Sequence, residues 1–225
     1  MNSLISDILF GFTGLISIIN PIGIAFVFYD RTSALTEQER RLIARRVAVN
    51  AFFVLLAAFF VGAPVLHFFG ISIEALRIGG GLAVAVAGWQ MLNAPDAPPL
   101  GADPGAQRLD ADSGSAKAFF PLTVPLTTGP GSMAIAIALT ASRSYDKLST
   151  FLLSATASVV ISVLVMIVIY LVYSRAARLA HYLGVDGTRI ALRASSFLLL
   201  CIGVQIILTG VEGFLAPIMR AHGAA

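Results

Sequence analysis

Two short segments place a proline, a glycine and small polar residues inside long apolar runs. They are "INPIG" at residues 19–23 and "TTGPGS" at residues 127–132. Proline removes a backbone N–H group and glycine frees the backbone, so each segment predicts a break in a helix. Asn20 is a suitable N-cap before Pro21, and Gly129 precedes Pro130 in the same way. We therefore expect a new half-helix to begin at each proline.

The chemistry expected at such breaks is that of exposed backbone groups. The N-terminus of a half-helix offers free N–H groups and a positive dipole end, which suit a carboxylate. The carbonyl groups before each break suit a cation or an ammonium group, and we expect them from Ile16, Ser17, Thr127 and Thr128. A single break is more simply a kink held by neighbouring helices. A pair at corresponding positions points to a transporter's binding site.

The sequence gives little support to other chemistry. Cys201 is the only cysteine, which excludes an internal disulfide and a CxxC site. The three histidines lie at or beyond the ends of the apolar runs without shared ligand spacing, so we expect no metal and no cofactor. No histidine lies within a span where it could serve Ser132 as a base, so we expect no enzyme. Glu212 is the best candidate for proton coupling, although an interfacial carboxylate that meets water is the simpler interpretation.

Small residues at helical spacing predict close packing between helices. Ser154, Ser158 and Ser162 form an i, i+4, i+8 stripe, which packing explains more simply than a polar pathway does. Gly79, Ala83 and Ala87 form a second stripe, which we expect to face a neighbouring helix.

These features belong to a chain that is too apolar for a soluble fold. Of its 225 residues 57% are hydrophobic and 12% are charged. Runs long enough to cross about 30 Å of hydrocarbon predict six transmembrane helices. The predicted spans are 8–29, 47–69, 74–93, 118–141, 149–173 and 195–217. The expected fold is an all-α membrane protein in which helices 1 and 4 are broken near the midplane of the bilayer.

The six spans divide into two halves of three. Residues 94–117 are rich in Pro, Gly, Asp and Ala and predict a flexible cytoplasmic linker between a first three-helix repeat, residues 1–93, and a second, residues 118–225. "NPIG" at 20–23 corresponds to "GPGS" at 129–132, and "GWQML" at 88–92 to "GVQII" at 203–207. Three spans per half force opposite orientations, so the repeat is predicted to be inverted.

Basic residues predict the orientation of these spans. If the N-terminus is outside the cytoplasm, the inside loops hold eleven of the 15 Lys and Arg residues, and the outside keeps Arg77, Arg143, Lys147 and Arg220. The positive-inside rule then places both termini outward. Because the basic residues lie between apolar spans rather than in one patch, we expect a lipid bilayer as partner and no nucleic acid.

The six spans in two halves, "INPIG" in the first, "PLTTGPGSMA" in the fourth and the Gly-x-Gln of the sixth resemble the MarC family of bacterial inner-membrane proteins. The resemblance covers nearly the whole chain and implies an integral membrane protein with outward termini. Some members are associated with transport of small neutral amino acids, and the family is grouped with amino-acid exporters of the LysE type. Carried over by motif, the implied substrate-binding positions are Asn20, Pro21, Gly23, Thr127, Thr128, Gly129, Pro130, Gly131 and Ser132.

The leading functional hypothesis is a secondary transporter of a small neutral or zwitterionic solute such as a small amino acid, and the sequence leaves open whether it is an exporter. No ionisable residue is expected near the two breaks, which motivates this choice of solute. No GxxxxGK loop for ATP is present. The alternative is a membrane scaffold or regulatory protein in which the breaks serve packing alone. The sequence leaves the coupling ion open between protons and sodium, and it leaves the oligomeric state open.

Overall fold

A computed structural model describes residues 2–93, 118–141 and 148–223, and every regular element in these ranges is a helix. The predicted linker, residues 94–117, lies outside the described residues. Eight helical segments follow in order: α1 Asn2–Ile19, α2 Pro21–Arg31, α3 Glu37–Phe68, α4 Ile73–Leu92, α5 Ala118–Thr127, α6 Pro130–Ala141, α7 Leu148–Tyr173 and α8 Ala176–Gly223. Gly184, with φ of 67°, interrupts α8.

Five segments of the described chain are long and apolar enough to cross a membrane. They are Leu4–Tyr29, Glu37–Phe68, Ile73–Leu92, Ser149–Tyr173 and Asp186–Ala216. The first combines α1 and α2. These five correspond to the first, second, third, fifth and sixth predicted spans, and they confirm an all-α membrane protein.

The fourth predicted span, 118–141, is not one helix of spanning length. It is divided into α5, which has the wider π-helical hydrogen-bond pattern, and the short apolar helix α6. Phe120 and Val124 have extended dihedral angles (φ −124°, ψ 125° and φ −115°, ψ 124°). Each precedes a proline, and the proline ring disfavours helical dihedrals in the residue before it. The division of the fourth span therefore has a local cause in the sequence.

A buried arginine fixes the turn between the first two spans. The Arg40 guanidinium donates to the backbone oxygens of Thr32 (3.0 Å) and Leu35 (3.1 Å) and to the Thr32 hydroxyl (3.2 Å). Its central carbon also lies 4.9 Å from the centroid of the Tyr29 ring. A cation at the carbonyl end of α2 is favoured by the helix dipole. These contacts hold α2 at a fixed position relative to α3.

The backbones of α4 and α8 approach each other closely. The Cβ position of Gly81 lies 2.8 Å from the Gly203 carbonyl oxygen, and that of Gly88 lies 2.6 Å from the Leu200 nitrogen. A side chain at either position would meet backbone atoms. The buried face of α4 consists of Gly80, Gly81, Val84, Ala85 and Gly88.

The prediction that Gly79, Ala83 and Ala87 face a neighbouring helix is wrong. The Cβ position of Gly79 has no neighbour within 4 Å, and Ala87 is exposed. The stripe that packs is displaced around the helix because the sequence offers small residues on both faces, and only the facing glycines of α8 select one of them.

The core contains two apolar clusters. The larger joins α1, α2 and α3 to α5, α6 and α7, with Leu15, Phe28, Leu55, Leu122 and Ile169 among its fully buried members. The smaller contains Ile18, Val84, Leu199 and Ile206. Helix pairs in contact are α1 with α6, α7 and α8; α2 with α5, α7 and α8; α3 with α5, α6 and α7; and α4 with α6 and α8.

Candidate functional site

The first break lies at Asn20, between α1 and α2. Asn20 has φ of 45°, the left-handed region that asparagine tolerates better than most residues. Its N–H still donates to the Ile16 oxygen (2.9 Å), and its own oxygen accepts the first hydrogen bond of α2, from Ile24 (3.0 Å). The helix therefore ends and restarts within one residue, and α2 begins at Pro21 as the sequence predicted.

The Asn20 side chain forms hydrogen bonds with both α2 and α8. Its Oδ1 accepts from the Gly23 N–H (3.3 Å), which is the N-cap bond, and its Nδ2 donates to the Ser195 backbone oxygen in α8 (3.3 Å). The Cβ position of Gly23 lies 2.6 Å from that Nδ2 and 2.8 Å from the Ser195 Cβ. Gly23 thus allows the Asn20 amide to lie between two helices. No signal in the sequence identified Ser195 as this partner.

One of the carbonyl groups expected to be available at the first break is occupied. The Ile16 oxygen accepts from Asn20 N–H. The Ser17 oxygen differs, because the residue four positions later is Pro21, which has no N–H to donate. Ser17 therefore supplies the carbonyl that the break releases on α1.

The segment before the second break contains three threonines whose hydroxyls donate to backbone carbonyls of the same segment. The hydroxyls of Thr123, Thr127 and Thr128 donate to carbonyl oxygens five residues earlier, at 2.7, 2.7 and 3.1 Å. The Thr128 N–H also donates to the Thr123 oxygen (2.8 Å). These hydroxyls supply hydrogen-bond donors to carbonyl groups of an irregular segment inside the apolar bundle. Thr127 and Thr128 are buried, and their hydroxyls donate to backbone carbonyls of the same segment.

Tyr173 connects the second break to the half-helix that follows the first. Its hydroxyl lies 3.0 Å from the Thr127 hydroxyl, and its ring stacks on Phe28 of α2 with centroids 4.8 Å apart. Tyr173 is fully buried at the end of α7. No sequence pattern predicted this connection, because Tyr173 lies at the end of an apolar span, where aromatic residues are common.

Helix α6 begins at Pro130 as predicted, after Gly129. Its first intrahelical bond runs from Met133 N–H to the Gly129 oxygen (3.2 Å), and the Ser132 hydroxyl donates to the same oxygen (2.9 Å). The N–H groups of Gly131 and Ser132 precede that bond and lie at the positive end of the helix dipole.

The second break packs against α4. The Cβ position of Gly131 meets the Val84 side chain, and that of Gly80 lies 2.5 Å from the Ala134 Cβ and 3.7 Å from the Pro130 oxygen. Gly80 and Gly131 therefore let α4 and the start of α6 approach closely.

The two breaks share neighbours on the third and sixth spans. Ile18, two residues before Asn20, lies in one apolar cluster with Val84, which contacts Gly131, and with Leu199, one turn after Ser195. The structure thus places Asn20, Pro21 and Gly23 beside α8, and Thr127, Thr128, Gly129, Pro130, Gly131 and Ser132 beside α4 and α7. All nine predicted residues are uncharged.

The other predicted residues lie away from these breaks. Glu212 is exposed on α8, 17 residues after Ser195 and so about 25 Å further along the helix. Ser154, Ser158 and Ser162 are buried, and the hydroxyls of the last two donate to the carbonyl oxygens four residues earlier (3.0 and 2.8 Å). The described residues contain no cluster of His, Cys, Asp or Glu that could hold a metal ion.

The chain has apolar helices of spanning length, and its first and fourth predicted spans are interrupted inside the helical bundle. This architecture defines an integral membrane protein. The chain belongs to the MarC family: the family described as "MarC family integral membrane protein" matches residues 5–215. This confirms the resemblance drawn from the two break motifs and the Gly-x-Gln of the sixth span.

Relatives of this chain are named as inner-membrane proteins. The proteins called "UPF0056 inner membrane protein MarC" from Escherichia coli (strain K12), Escherichia coli O1:K1 / APEC and Shigella flexneri are each 30% identical to this chain over 207 residues. The match covers 89% of this chain and 92% of each relative. This chain is therefore an integral inner-membrane protein. No solved structure matches it significantly.

Proposed function

We propose that this protein is a secondary transporter of small neutral or zwitterionic solutes such as small amino acids, with export as one direction of transport to be tested. The observation that carries the proposal is the pair of helix breaks at Asn20 and Gly129, each followed by a half-helix that starts with proline. Interrupted spans in corresponding positions of two halves are where transporters of inverted-repeat architecture bind their solutes.

Helix packing supports two related halves of three spans each. In the proposed correspondence α1 matches α5, α2 matches α6, α3 matches α7 and α4 matches α8. Exchanging the halves then turns the α1–α7 contact into α5–α3, α2–α8 into α6–α4, α2–α7 into α6–α3, and α1–α6 into α5–α2. Each of these contacts is present, and the α3–α7 and α4–α8 contacts map onto themselves. The α1–α8 contact differs, because its counterpart α4–α5 is not among the main helix contacts of the described residues. A twofold relation between the halves would set the fourth span, α5 with α6, opposite the first.

The chemistry of the breaks suits a solute without net charge. The first-turn N–H groups of Gly131 and Ser132 suit a carboxylate, and the Ser17 oxygen suits an ammonium group. Asn20 offers both an amide donor and an amide acceptor in the same region. A fixed charge beside these groups would bias the site toward a charged solute, and the nine residues of the two breaks carry none.

A second candidate function has an observation in its favour. The hydroxyls of Thr127, Thr128 and Ser132 all donate to backbone oxygens of their own segment. A scaffold or regulatory membrane protein would need such bonds only to stabilise its kinks. In this interpretation the breaks bind no solute.

Reconstitution of the purified chain in lipid vesicles separates the two functions. Labelled glycine, alanine and serine, with lysine and glutamate as charged comparators, are tested for uptake and for exchange against a preloaded solute. The proposal requires that at least one of the neutral amino acids is transported faster than both lysine and glutamate. Vesicles that retain correctly folded protein and move none of the five solutes favour the scaffold.

The remaining expectations follow from the same proposal. Both termini lie outside the cytoplasm, the bilayer and the solute are the partners, and the chain catalyses no reaction. Glu212 stays a candidate for proton coupling, although it lies far from both breaks. A Glu212→Gln variant whose transport keeps the wild-type dependence on a proton gradient would remove it from consideration.

A further inference from the structure

The sixth span carries an amide on its exposed face. Gln205 of α8 is exposed, whereas Gly203 and Ile206 beside it are buried against the bundle. No charged residue lies between Arg193 and Glu212. With a rise of about 1.5 Å per residue, Gln205 lies about 18 Å from Arg193 and about 10 Å from Glu212 along the helix. These distances place the amide inside the hydrocarbon layer, where water is absent.

Three hydroxyl groups on the exposed faces of the spans are satisfied by their own helix. Thr13, Thr156 and Thr209 each donate to the carbonyl oxygen four residues earlier, at 2.7, 2.8 and 2.9 Å. The Gln205 amide differs, because it makes no hydrogen bond to any residue that the structure describes. An amide without a partner is costly in hydrocarbon. The exposed face of α8 therefore favours a partner from outside the chain.

The residues around Gln205 have the spacing of a packed helix pair. Six exposed residues of α8 follow one another at intervals of four, three, four, three and four: Ala194, Leu198, Cys201, Gln205, Leu208 and Glu212. We call this row the Gln205 seam. Two helices pack side by side along a row of this spacing, and a polar residue within it fixes their register and their number.

The chemistry of the amide indicates which helix is the partner. Its oxygen accepts a hydrogen bond and its NH₂ group donates one, so it is complementary to a second copy of itself. A twofold axis perpendicular to the membrane brings the same residue of two chains to the same depth. Cys201 is small and precedes Gln205 by one turn, so it allows two helices to approach closely. Glu212 ends the seam at the boundary of the span, where water and salt screen its charge.

We infer that two copies of this chain form a dimer through the Gln205 seam, with the two Gln205 amides hydrogen-bonded to each other. The seam lies nearly opposite Gly203, which packs against α4, so the dimer leaves the contacts of the bundle unchanged. The dimer goes beyond the proposed transport and does not rest on it.

Oxidative cross-linking of the native cysteine tests the seam in membranes. Cys201 is the only cysteine of the chain and is exposed, so copper phenanthroline should join two chains through it. In a Cys201→Ser background, Leu208→Cys on the seam should cross-link in the same way. Val204→Cys should not, because Val204 is exposed on α8 but lies to one side of the seam.

Sedimentation equilibrium of the purified full-length chain in detergent measures the contribution of the amide. Gln205→Leu should raise the dissociation constant of the dimer at least tenfold, whereas Gln205→Asn, which keeps an amide, should retain most of the affinity. Gln205→Leu should also leave the Tm of the monomer unchanged, because the side chain makes no hydrogen bond within the described part of the chain.

Gln90→Leu is the matched control for this substitution. Gln90 holds the same place in "GWQML" that Gln205 holds in "GVQII", and it is also exposed. It lies two residues before the end of α4, where the amide can reach water. This variant should keep the wild-type dissociation constant.

Four results overturn the proposal. The first is a wild-type chain that stays monomeric and does not cross-link at Cys201, and the second is a Gln205→Leu variant that dimerises as tightly as the wild type. The third is cross-linking of Cys201 only to a different protein, identified by its mass. The fourth is loss of folding in Gln205→Leu, which would give the amide a role inside the bundle. A dimer that moves no solute contradicts the transporter and keeps this interface, whereas transport by a monomeric chain does the reverse.

Discussion

Gly88 of α4 and Gly203 of α8 make equivalent contacts with each other's helix. The Cβ position of Gly88 is nearest to the Leu200 nitrogen and lies 2.9 Å from the Ser196 oxygen. The Cβ position of Gly203 is nearest to the Ala85 nitrogen and lies 2.8 Å from the Gly81 oxygen. Adding 115 to 88 gives 203, and subtracting 115 from 200 and 196 gives 85 and 81; the same offset relates "GWQML" to "GVQII" in the sequence. Gly88 and Gly203 therefore occupy equivalent positions in the contact between α4 and α8.

This relationship predicts paired effects of substitution. Gly88→Ala and Gly203→Ala should each lower the free energy of unfolding by about 2 kcal/mol, because the new methyl group meets backbone atoms that cannot rotate away. The two losses should be similar in size, since the contacts are equivalent. Thermal unfolding of the purified variants in one detergent measures them.

Gly79→Ala is the control for this pair, because its Cβ position has no neighbour within 4 Å. Alanine favours a helix over glycine, so this variant should be neutral or stabilised by a few tenths of a kcal/mol. Equal destabilisation by all three substitutions would contradict the packing described for α4.

The Thr127–Tyr173 hydrogen bond predicts a moderate contribution to stability. Tyr173→Phe keeps the stacking on Phe28 and removes only the 3.0 Å bond, so it should cost about 1 kcal/mol. Tyr170→Phe, half-exposed on the same helix, should change stability little. A double-mutant cycle with Thr127→Val isolates the coupling, and a coupling energy near zero would exclude a direct bond.

The sequence predicted the starts of the half-helices because these depend on local chemistry. Pro21 after Asn20 and Pro130 after Gly129 determine where a helix can begin, whatever packs around it. The C-terminal limits of the first, second, third, fifth and sixth spans followed from hydropathy to within one residue, whereas the helices of the second and sixth spans begin about ten residues before the predicted limits. The extended dihedrals of Phe120 are likewise implied by the proline that follows.

The partners of the breaks depend on tertiary contacts, which hydropathy does not encode. Ser195 lies 175 residues from Asn20, and Tyr173 lies 46 residues from Thr127. The hydropathy of an apolar span does not predict which helix it will pack against. The threonine hydroxyls were predicted beside the second break, but their bonds to carbonyls five residues earlier follow from the π-helical form of α5.

Substitutions at Asn20 and Gly129 should reduce transport without preventing folding or membrane insertion. Asn20→Gly keeps the backbone at φ of 45°, which glycine adopts freely, and removes the amide that reaches Ser195. We expect it to insert and fold while losing at least tenfold in transport rate. Asn20→Leu and Gly129→Leu should abolish transport and still insert in the membrane.

Initial rates of solute uptake into vesicles, divided by the amount of folded protein, measure this separation. The exposed Thr156→Ala serves as the unaffected comparison. If the transport rate and the folded yield fall in parallel in all three variants, the breaks serve packing alone. This result would support the scaffold and contradict the transporter.

The proposed orientation predicts which turns a membrane-impermeant maleimide can reach. Cys201 is the only cysteine and is exposed, so it is first replaced by serine. Ala34, in the turn between α2 and α3, and Ile71, in the turn between α3 and α4, are both exposed and accept single cysteines. With the N-terminus outside, Ile71→Cys should be labelled in intact spheroplasts, and Ala34→Cys only after permeabilisation. The reverse pattern would place both termini in the cytoplasm and contradict the charge bias of the loops.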